Sequence, residues 1–359
     1  MTSVVTVGTD PPYDVVVGRG AIEQVARVLD HVDQVAVVAC PAVSEHAGAV
    51  AEHLRSCGVQ AMRVEVPDGE AAKDLRVVNH VWAALGQAAF SRTDLVVGVG
   101  GGAVTDVAGF AAATWLRGVP IVHVPTTLLG MVDAAIGGKV AINTAAGKNL
   151  VGAFHQPELV VVDPSYLATL PQEDYTAGLA EVVKAGFIAD PAILDLVERD
   201  VAAVLGRDEA VVTELLERSI RVKASVVAAD PREAGRRIVL NYGHTLAHAI
   251  EHDAGYGAWR HGDAVAVGLC YAAAVGRRRR FGALDDATAD RHRAVLEALG
   301  LPTRYLADAW PRLRAAMQTD KKTRGDRLRF VVLDALGHPA VLDAPNESLL
   351  EAAYAEVSG

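Results

Sequence analysis

The sequence predicts an α/β N-terminal domain followed by a mostly α-helical C-terminal domain. Short β-branched segments alternate with Ala-rich segments through the first half, a pattern typical of a parallel sheet with crossover helices. From about Leu170 onward, apolar residues recur mostly with helical spacing. The chain has 359 residues, of which 51% are hydrophobic and 22% are charged, so it is long and apolar enough for two folded domains. We predict domains at 1–170 and 171–359.

The N-terminal domain takes its strands from clusters of β-branched residues. Strands are predicted at 4–7, 13–18, 34–40, 94–102 and 120–127. Amphipathic helices are predicted over 21–29, 46–58 and 105–118. The last two helices end at Gly58 and Gly118, a common helix stop signal.

The C-terminal domain is predicted to be mainly helical. Helices are predicted over 173–188, 210–230, 244–252, 262–280 and 285–300. One segment with the β-branched character of a strand, 327–335, interrupts this pattern.

Charge, cysteine content and hydropathy limit the possible classes of function. The chain has 44 acidic and 34 basic residues, a net charge of −10, which argues against general nucleic-acid binding but not against an anionic substrate. Its three cysteines are too scattered for a disulfide framework. The N-terminus lacks the basic and apolar regions of a signal peptide, and the apolar segment 118–132 is too short, and too broken by Pro120 and Pro125, to span a bilayer. We expect a cytoplasmic protein without membrane or nucleic-acid partners.

A glycine run, Gly98 to Gly102 with Val99 inside it, follows a predicted strand and precedes a predicted helix. Glycines at such a turn let the backbone approach a pyrophosphate, which the helix N-terminus attracts. The run does not match G-x-G-x-x-G, so a plain tight turn is the alternative. Asp106 lies just inside the helix, where it can simply complement the helix dipole.

The segment 125–154 contains two Gly-Lys pairs, at Lys139 and Lys148, among small residues. Lysines and amides in such a segment suit a carboxylate or phosphate. Neither pair is a Walker A motif, because Val140 and Asn149 follow the lysines where Ser or Thr is needed. The alternative is a surface loop with solvated lysines.

Four histidines within 18 residues indicate a metal site. His244, His248 and His252 recur every four residues and therefore share one helical face, and His261 follows after a glycine-rich loop. The HTLAH sequence lacks the glutamate of H-E-x-x-H, which disfavours a zinc protease. Imidazoles together with a carboxylate suit zinc or cobalt. The alternative is a set of structural core histidines.

Two further groups of charged residues lie in helical patterns. Glu181 and Lys184 are three residues apart among apolar neighbours, so they form either a surface ion pair or a buried pair that needs a cation or metal. Glu233, Arg237 and Asn241 precede the histidines at intervals that place them on one face if the helix is continuous.

Several long segments together resemble bacterial 3-dehydroquinate synthases of the actinobacterial type, which belong to the sugar-phosphate cyclase superfamily. The matching segments, collinear from about residue 10, are 67–73, 98–118, 125–143, 147–157, 169–190, 222–251, 260–269 and 320–325. The chain departs from the family at Val140, where many relatives have Thr, and at Ala247, where many have Gly.

The resemblance implies a nucleotide-binding α/β N-terminal domain, a metal-binding helical C-terminal domain and a homodimer. It implies conversion of 3-deoxy-D-arabino-heptulosonate 7-phosphate, a small anionic sugar phosphate, to 3-dehydroquinate and phosphate in the shikimate pathway. Hydride transfer to NAD, loss of phosphate, return of the hydride, ring opening and aldol closure would follow in that order. The implied cofactors are NAD and Zn²⁺ or Co²⁺.

The resemblance also assigns roles to individual residues. The implied metal ligands are Glu181, His244 and His261. The implied catalytic and substrate-contacting residues are His248, Lys139, Asn149, Arg117, Lys223, Arg237, Asn241, Lys148, Lys184, Asp133, Glu233 and Lys322, with Lys321 an alternative to the last. The implied NAD contacts are Asp68, Glu70, Lys73, Gly100, Gly101, Gly102, Asp106, Thr126, Thr127, Lys139, Lys148 and Thr169.

Three other functions remain open from the sequence. Another sugar-phosphate cyclase, above all an aminodehydroquinate synthase, would use a closely similar substrate. A metal-dependent polyol dehydrogenase would accumulate NADH. A non-catalytic metal- or nucleotide-binding protein would not need a complete ligand set.

Overall fold

A computed structural model describes residues 2–255, 257–279, 282–324 and 328–359, and the side chains of 319–324 lie outside this description. The chain divides into two compact units, Met1–Leu170 with Val212–Arg232 and Pro171–Val211 with Glu233–Gly359. The sequence analysis placed 212–232 in the second domain. The segment belongs to the first unit because it contacts that unit directly: the Ser3 hydroxyl donates a 2.6 Å hydrogen bond to Glu217, and Lys223 forms an ion pair with Asp133.

The first unit begins with alternating strands and helices. In chain order they are β1 (Ser3–Val7), β2 (Tyr13–Val17), β3 (Gln34–Ala39), α1 (Ser44–Ser56), β4 (Gln60–Glu65), α2 (Leu75–Gln87), β5 (Leu95–Gly100), α3 (Gly102–Thr114), β6 (Ile121–Pro125), β7 (Lys139–Thr144), β8 (Gly147–Phe154) and β9 (Leu159–Val162). The helix predicted over 21–29 is present at Ala21–Val28 as a 3-10 helix.

Seven strands of the described chain form one sheet in the order β1-β2-β9-β6-β5-β3-β4. The pairs from β2 to β4 are parallel, and β1 is antiparallel to β2. Alternate residues of β5 face opposite sides: Val96 packs in a cluster with residues of α2 and α3, and Val97 in a cluster with residues of α1. The predicted parallel α/β architecture is confirmed, and the carboxyl end of β5 leads directly into α3.

The second unit is mainly helical. The remaining elements are α4 (Gln172–Ile188), α5 (Ala192–Arg199), α6 (Val201–Leu205), α7 (Glu209–Ala229), α8 (His244–Ala254), α9 (His261–Arg277), α10 (Asp286–Ala298), α11 (Trp310–Arg324), β10 (Arg329–Ala335), β11 (His338–Asp343) and α12 (Glu347–Tyr354). Residues 212–229 of α7 belong to the first unit. Helix α9 is buried from Ala264 to Gly276 and contacts α4, α8, α10 and α12.

The connection between α7 and α8 differs from a continuous helix. Helix α7 ends at Ala229, Pro231 follows, and a 3-10 helix forms only at Arg236–Asn241. Gly235, just before this 3-10 helix, and Gly243, just after it, adopt backbone angles outside the helical region, with φ of −171° and 81°. Glu233, Arg237 and Asn241 therefore do not share one face of a single helix.

Two other findings concern features that the sequence analysis considered. Within the described residues, the structure has no helix that is long and apolar enough to cross a membrane. Cys40, Cys57 and Cys270 are free thiols.

Candidate functional site

Three side chains of the second unit bring donor atoms for a metal together. Glu181 lies in the middle of α4, whereas His244 and His261 are the first residues of α8 and α9. One donor atom from each lies within 4.8 Å of the others. Glu181 Oε1 is 3.5 Å from His244 Nε2 and 3.8 Å from His261 Nε2. Ligand atoms about 2.1 Å from a tetrahedral Zn²⁺ lie about 3.4 Å apart, so the donor set fits Zn²⁺ or the chemically similar Co²⁺.

The other polar atoms of these side chains have partners that orient them. Glu181 Oε2 forms an ion pair with Lys184, whose ammonium also donates a 2.8 Å hydrogen bond to the Leu240 carbonyl. His244 Nδ1 lies 3.1 Å from the Tyr242 carbonyl oxygen, an arrangement that puts the proton on Nδ1 and the lone pair on Nε2. Both Glu181 and Lys184 are about 3% exposed, so the pair is a buried one and not a surface ion pair.

The two histidines have opposite electrostatic environments. Burial and the nearby Lys184 ammonium lower the pKa of His244 well below its usual range. Burial also lowers the pKa of His261, but interactions with Glu181 and Glu251 outweigh burial and raise it to about 10. Metal binding requires the neutral imidazole, so a metal and a proton compete for His261.

Two glycines of α9 let the ligand-bearing segments approach closely. A Cβ atom on Gly262 would lie 1.8 Å from the Ala177 carbonyl oxygen of α4, and one on Gly268 would lie 2.0 Å from the Gly243 carbonyl oxygen. Gly262 follows His261, and Gly243 precedes His244. The backbone contacts that bring α4, α8 and α9 together therefore require the absence of side chains at positions 262 and 268.

His248 lies beside the metal-ligand group. The centroid of its imidazole is 5.5 Å from that of His244 and 6.4 Å from that of His261. This places the imidazole where it can exchange a proton with a ligand of a metal held by the group.

In the first unit, the glycine run forms the turn between β5 and α3. Gly100 has a φ of 158°, and a Cβ atom there would lie 2.8 Å from the side chain of Val104. A Cβ atom on Gly101 would lie 3.0 Å from Thr127, and one on Gly102 would lie 3.0 Å from Ala134. Gly101, the N-cap residue of α3, makes no side-chain capping hydrogen bond. The turn thus offers backbone amides at a helix N-terminus, which suits a pyrophosphate.

A polar network lies beside this turn and joins three of the predicted residues. Lys73, which is 4% exposed, forms an ion pair with Asp106 and a hydrogen bond with the Asn149 side-chain oxygen. Burial raises the pKa of Asp106 to about 6, and Lys73 opposes this shift. The Asn143 side chain extends the network, since it donates to Glu70 at 2.5 Å and accepts from the Asn149 amide at 3.0 Å.

A second polar pair involves a π-helical turn at Gly130–Ala134. Asp133, in that turn, forms an ion pair with Lys223 of α7. Lys223 is 8% exposed, so its ammonium is held in a largely buried position. Single π-helical turns occur frequently at functional sites.

The β7–β8 hairpin carries the two predicted lysines of the Gly-Lys pairs. Lys139 begins β7 and is exposed, and Lys148 is the second residue of β8. The segment is therefore an ordered hairpin and not an irregular loop. Val140, one of the departures from the family pattern, packs its side chain where a Cβ atom on Gly109 would lie.

Three predicted residues other than glycine have a positive φ: Arg117 at 70°, Asn149 at 57° and Glu233 at 55°. Residues other than glycine rarely adopt this conformation, and such residues cluster at functional sites. Asn is tolerated there, whereas Arg117 and Glu233 are held at an energetic cost.

The remaining predicted residues are distributed through both units. The Asp68 side chain accepts from the Gly69 amide, and the Thr126 amide donates to the Gly100 carbonyl. Thr169 contacts His46 at 2.9 Å. In the second unit, Arg237 is 1% exposed and Asn241 ends the 3-10 helix. The side chains of Lys321 and Lys322 lie outside the described residues.

The sequence analysis missed one polar residue beside the metal-ligand group. Glu251 of α8 is 8% exposed, and its Oε2 lies 3.3 Å from His261 Nδ1. A sequence signal was present, because Glu251 follows His244 and His248 by seven and three residues and therefore lies on the same helical face.

Family models match most of the chain. Residues 63–177 match the model described as 3-dehydroquinate synthase N-terminal, and residues 178–323 match the one described as 3-dehydroquinate synthase C-terminal. A 3-dehydroquinate synthase from Mycolicibacterium vanbaalenii is 58% identical over 360 residues, which cover 100% of this chain and 99% of that protein.

Solved structures of sugar-phosphate cyclases have a similar fold. The 2-epi-5-epi-valiolone synthase from Streptomyces hygroscopicus, with NAD⁺ and Zn²⁺ bound, superposes with a TM-score of 0.88 at 27% identity and covers 96% of each chain. A 2-deoxy-scyllo-inosose synthase, complexed with carbaglucose-6-phosphate, NAD⁺ and Co²⁺, superposes with a TM-score of 0.87 at 26% identity. That match covers 99% of this chain and 100% of the other.

Proposed function

Because this chain belongs to the 3-dehydroquinate synthase family, we propose that it converts 3-deoxy-D-arabino-heptulosonate 7-phosphate to 3-dehydroquinate and phosphate, with NAD and Zn²⁺ or Co²⁺ as cofactors. The observation that carries the proposal is the group formed by Glu181, His244 and His261, whose donor atoms lie within 4.8 Å of one another. Three protein ligands would leave a metal held there with an open position for substrate, as catalysis requires.

The cofactors and the chain have separate tasks. When bound, the metal supplies a Lewis acid that makes a substrate hydroxyl more acidic, and NAD supplies a hydride acceptor that is regenerated in each turnover. Lys184 holds one oxygen of Glu181, so that the other oxygen stays directed at the two histidines. The His248 imidazole, whose centroid is 5.5 Å from that of His244, is placed to accept or return the proton of the substrate hydroxyl.

The glycine turn and its polar network are the proposed NAD site. The amides at the N-terminus of α3 suit the pyrophosphate, and Gly101 and Gly102 allow its close approach. Asp106, held by Lys73, offers a carboxylate that can accept a hydrogen bond from a ribose hydroxyl. Other proposed contacts are Asp68, Glu70, Gly100, Thr126, Thr127, Lys139, Lys148 and Thr169.

The substrate carries a carboxylate and a phosphate, and the proposed anchors are correspondingly basic or amide-bearing. Charge-assisted hydrogen bonds from lysine and arginine neutralise the phosphate as it leaves and fix the carboxylate. Asp133 holds the Lys223 ammonium in place, and the positive φ of Asn149 fixes the direction of its amide. The proposed anchors are Arg117, Asp133, Lys139, Lys148, Asn149, Lys223, Glu233, Arg237, Asn241 and Lys322.

We further propose that the enzyme is a cytoplasmic homodimer of the shikimate pathway. The family resemblance supports this part of the proposal. Size-exclusion chromatography with light scattering would measure the oligomeric state, and a monomer at micromolar concentration would contradict it.

Phosphate release from 3-deoxy-D-arabino-heptulosonate 7-phosphate tests the function directly. We expect release that requires catalytic NAD, stops with a chelator, returns with Zn²⁺ or Co²⁺, and yields 3-dehydroquinate without net NADH. The variant His261→Ala should lose turnover, whereas His252→Ala, a change on α8 outside the ligand group, should retain it.

Three outcomes would contradict this assignment. No phosphate release by the metal- and NAD-loaded protein would contradict the proposed substrate and favour the amino analogue of that substrate. Steady NADH accumulation with a polyol would indicate a dehydrogenase. Full activity of His261→Ala would refute the proposed ligand set.

A further inference from the structure

Glu251 and His261 connect two helices beside the metal-ligand group. Glu251 lies in the last turns of α8, and His261 is the first residue of α9. The Glu251 carboxylate Oε2 lies 3.3 Å from His261 Nδ1, the nitrogen that faces away from Glu181. With 8% of its surface exposed, Glu251 is largely removed from water.

A carboxylate in that position needs polar partners, because burying one without them costs several kcal/mol. The Nδ1–H of His261 is such a partner. When Nδ1 donates to Glu251, the lone pair of a neutral imidazole lies on Nε2, which is 3.8 Å from Glu181 Oε1. Glu251 therefore selects both the tautomer and the ring orientation in which His261 can bind a metal.

The two histidines differ in how they are held. His244 Nδ1 faces the backbone carbonyl of Tyr242, a partner that no side-chain substitution removes. His261 Nδ1 faces a side chain, and a negatively charged acceptor makes an imidazole a stronger metal ligand than a neutral one does. The orientation of His261 is thus open to a direct mutational test.

We propose that Glu251 is a positioning residue that holds the His261 imidazole, through Nδ1, in the orientation that binds the catalytic metal. The proposal rests on the metal-dependent function proposed above. Glu251 lies outside the group of donor atoms formed by Glu181, His244 and His261, and it acts through His261.

Zn²⁺ affinity, measured on metal-stripped protein by competition with a chromophoric chelator, tests the proposal without reference to activity. Glu251→Ala should weaken Zn²⁺ binding by about tenfold to a hundredfold, the usual effect of removing such a partner. Glu251→Gln keeps an acceptor oxygen without the charge, and it should weaken binding by less, about threefold to tenfold. The absorption spectrum of the Co²⁺-loaded protein should change in intensity or position with Glu251→Ala, because a reoriented His261 alters the ligand geometry.

Asp253→Asn is the matched control. Asp253 is a carboxylate on the same helix, but it accepts hydrogen bonds from Tyr305 at 3.0 Å and Arg312 at 2.7 Å. Its substitution should lower thermal stability and leave Zn²⁺ affinity unchanged. A loss of Zn²⁺ affinity equal to that of Glu251→Ala would mean that any damage to α8 has this effect, and would overturn the positioning role.

The outcomes separate this proposal from the one on which it rests. Zn²⁺ binding by Glu251→Ala equal to that of the parent, with His261→Ala impaired, would overturn the role of Glu251 alone. A parent protein that does not bind Zn²⁺ would overturn the metal-dependent function and the role of Glu251 together. If Glu251→Ala does not fold, Glu251→Gln decides the question, and parental Zn²⁺ affinity in that folded variant would overturn the role.

Discussion

Replacement of Gly262 by Ala should damage the ligand group through the backbone. The added Cβ would lie 1.8 Å from the Ala177 carbonyl oxygen, whereas nonbonded carbon and oxygen atoms need more than about 3 Å. Helices α9 and α4 must therefore separate by more than about 1 Å. Because His261 and Glu181 lie on these two helices, their separation grows as well.

The magnitude follows from packing. Overpacking a well-packed interior costs about 1–3 kcal/mol, and a contact with rigid backbone lies at the upper end of this range. For a unit of this size, about 3 kcal/mol corresponds to a fall in Tm of about 6–12 °C. We expect Zn²⁺ affinity to fall by at least about tenfold, equivalent to 1.4 kcal/mol.

Gly276→Ala provides the control on the same helix. A Cβ atom at Gly276 would meet its nearest neighbour, the Leu333 carbonyl oxygen, at 3.4 Å, an ordinary contact. Ala is the better helix former by up to about 1 kcal/mol, so this variant should melt no lower than the parent. Differential scanning calorimetry of the metal-stripped proteins and chelator competition measure both quantities. Parental Tm and Zn²⁺ affinity in Gly262→Ala would refute the reasoning.

Three further predictions concern the first unit. Lys73→Met leaves the partly buried Asp106 carboxylate without its cation, so NAD binding, measured by calorimetry, should weaken about tenfold or more. Unchanged NAD affinity would contradict the role of the network. Burial, and to a lesser extent His155, lower the pKa of His123 to about 3. The unfolded chain therefore binds a proton at His123 at a higher pH than the folded protein does, and the free energy of unfolding decreases as the pH falls from about 6.5 toward 3. Between pH 7 and pH 5, the free energy of unfolding measured with urea should decrease by about 2 kcal/mol less in His123→Leu than in the parent. The same pH dependence in both proteins would contradict this prediction. Lys223→Met should lower kcat/KM about a hundredfold. Because Lys223 and Asp133 form an ion pair, adding Asp133→Asn to this variant should lower kcat/KM little further. Additive effects of the two substitutions on kcat/KM would contradict the pairing.

The fold was predictable where local patterns decide the structure. The apolar β-branched run of β5, bounded by glycine, needs no distant information, and the strand forms at Leu95–Gly100 within the predicted 94–102. The connection after α7 was less predictable, because the spacing of Glu233, Arg237 and Asn241 suits a helix that the chain does not form there. Pro231 cannot continue a helix, and Gly235 and Gly243 adopt non-helical backbone angles, so the chain does not follow that spacing.

Sequence spacing was also insufficient to predict the candidate site, because its residues lie on different helices. The histidine spacing indicates a metal site, but no spacing rule connects His244 to Glu181, which lies 63 residues earlier on another helix. Only the family resemblance joined them, and the structure brings the three donor atoms together. The role of Glu251 was hidden for a related reason: its partner His261 lies beyond a turn whose geometry the sequence does not reveal.

Because residues 212–232 belong to the first unit, that unit is completed only late in synthesis on the ribosome. The seven-stranded sheet has all its strands once Val162 has been synthesised, as far as the described residues show. The unit lacks its last segment until Arg232 follows, after 41 residues of the second unit, Pro171–Val211, have been made. During that interval the nascent first unit contains Asp133, in the turn Gly130–Ala134, without the ammonium of Lys223. A gene fragment cut at Leu170 would preserve this incomplete state, so an isolated N-terminal unit should be expressed with 212–232 attached through a linker.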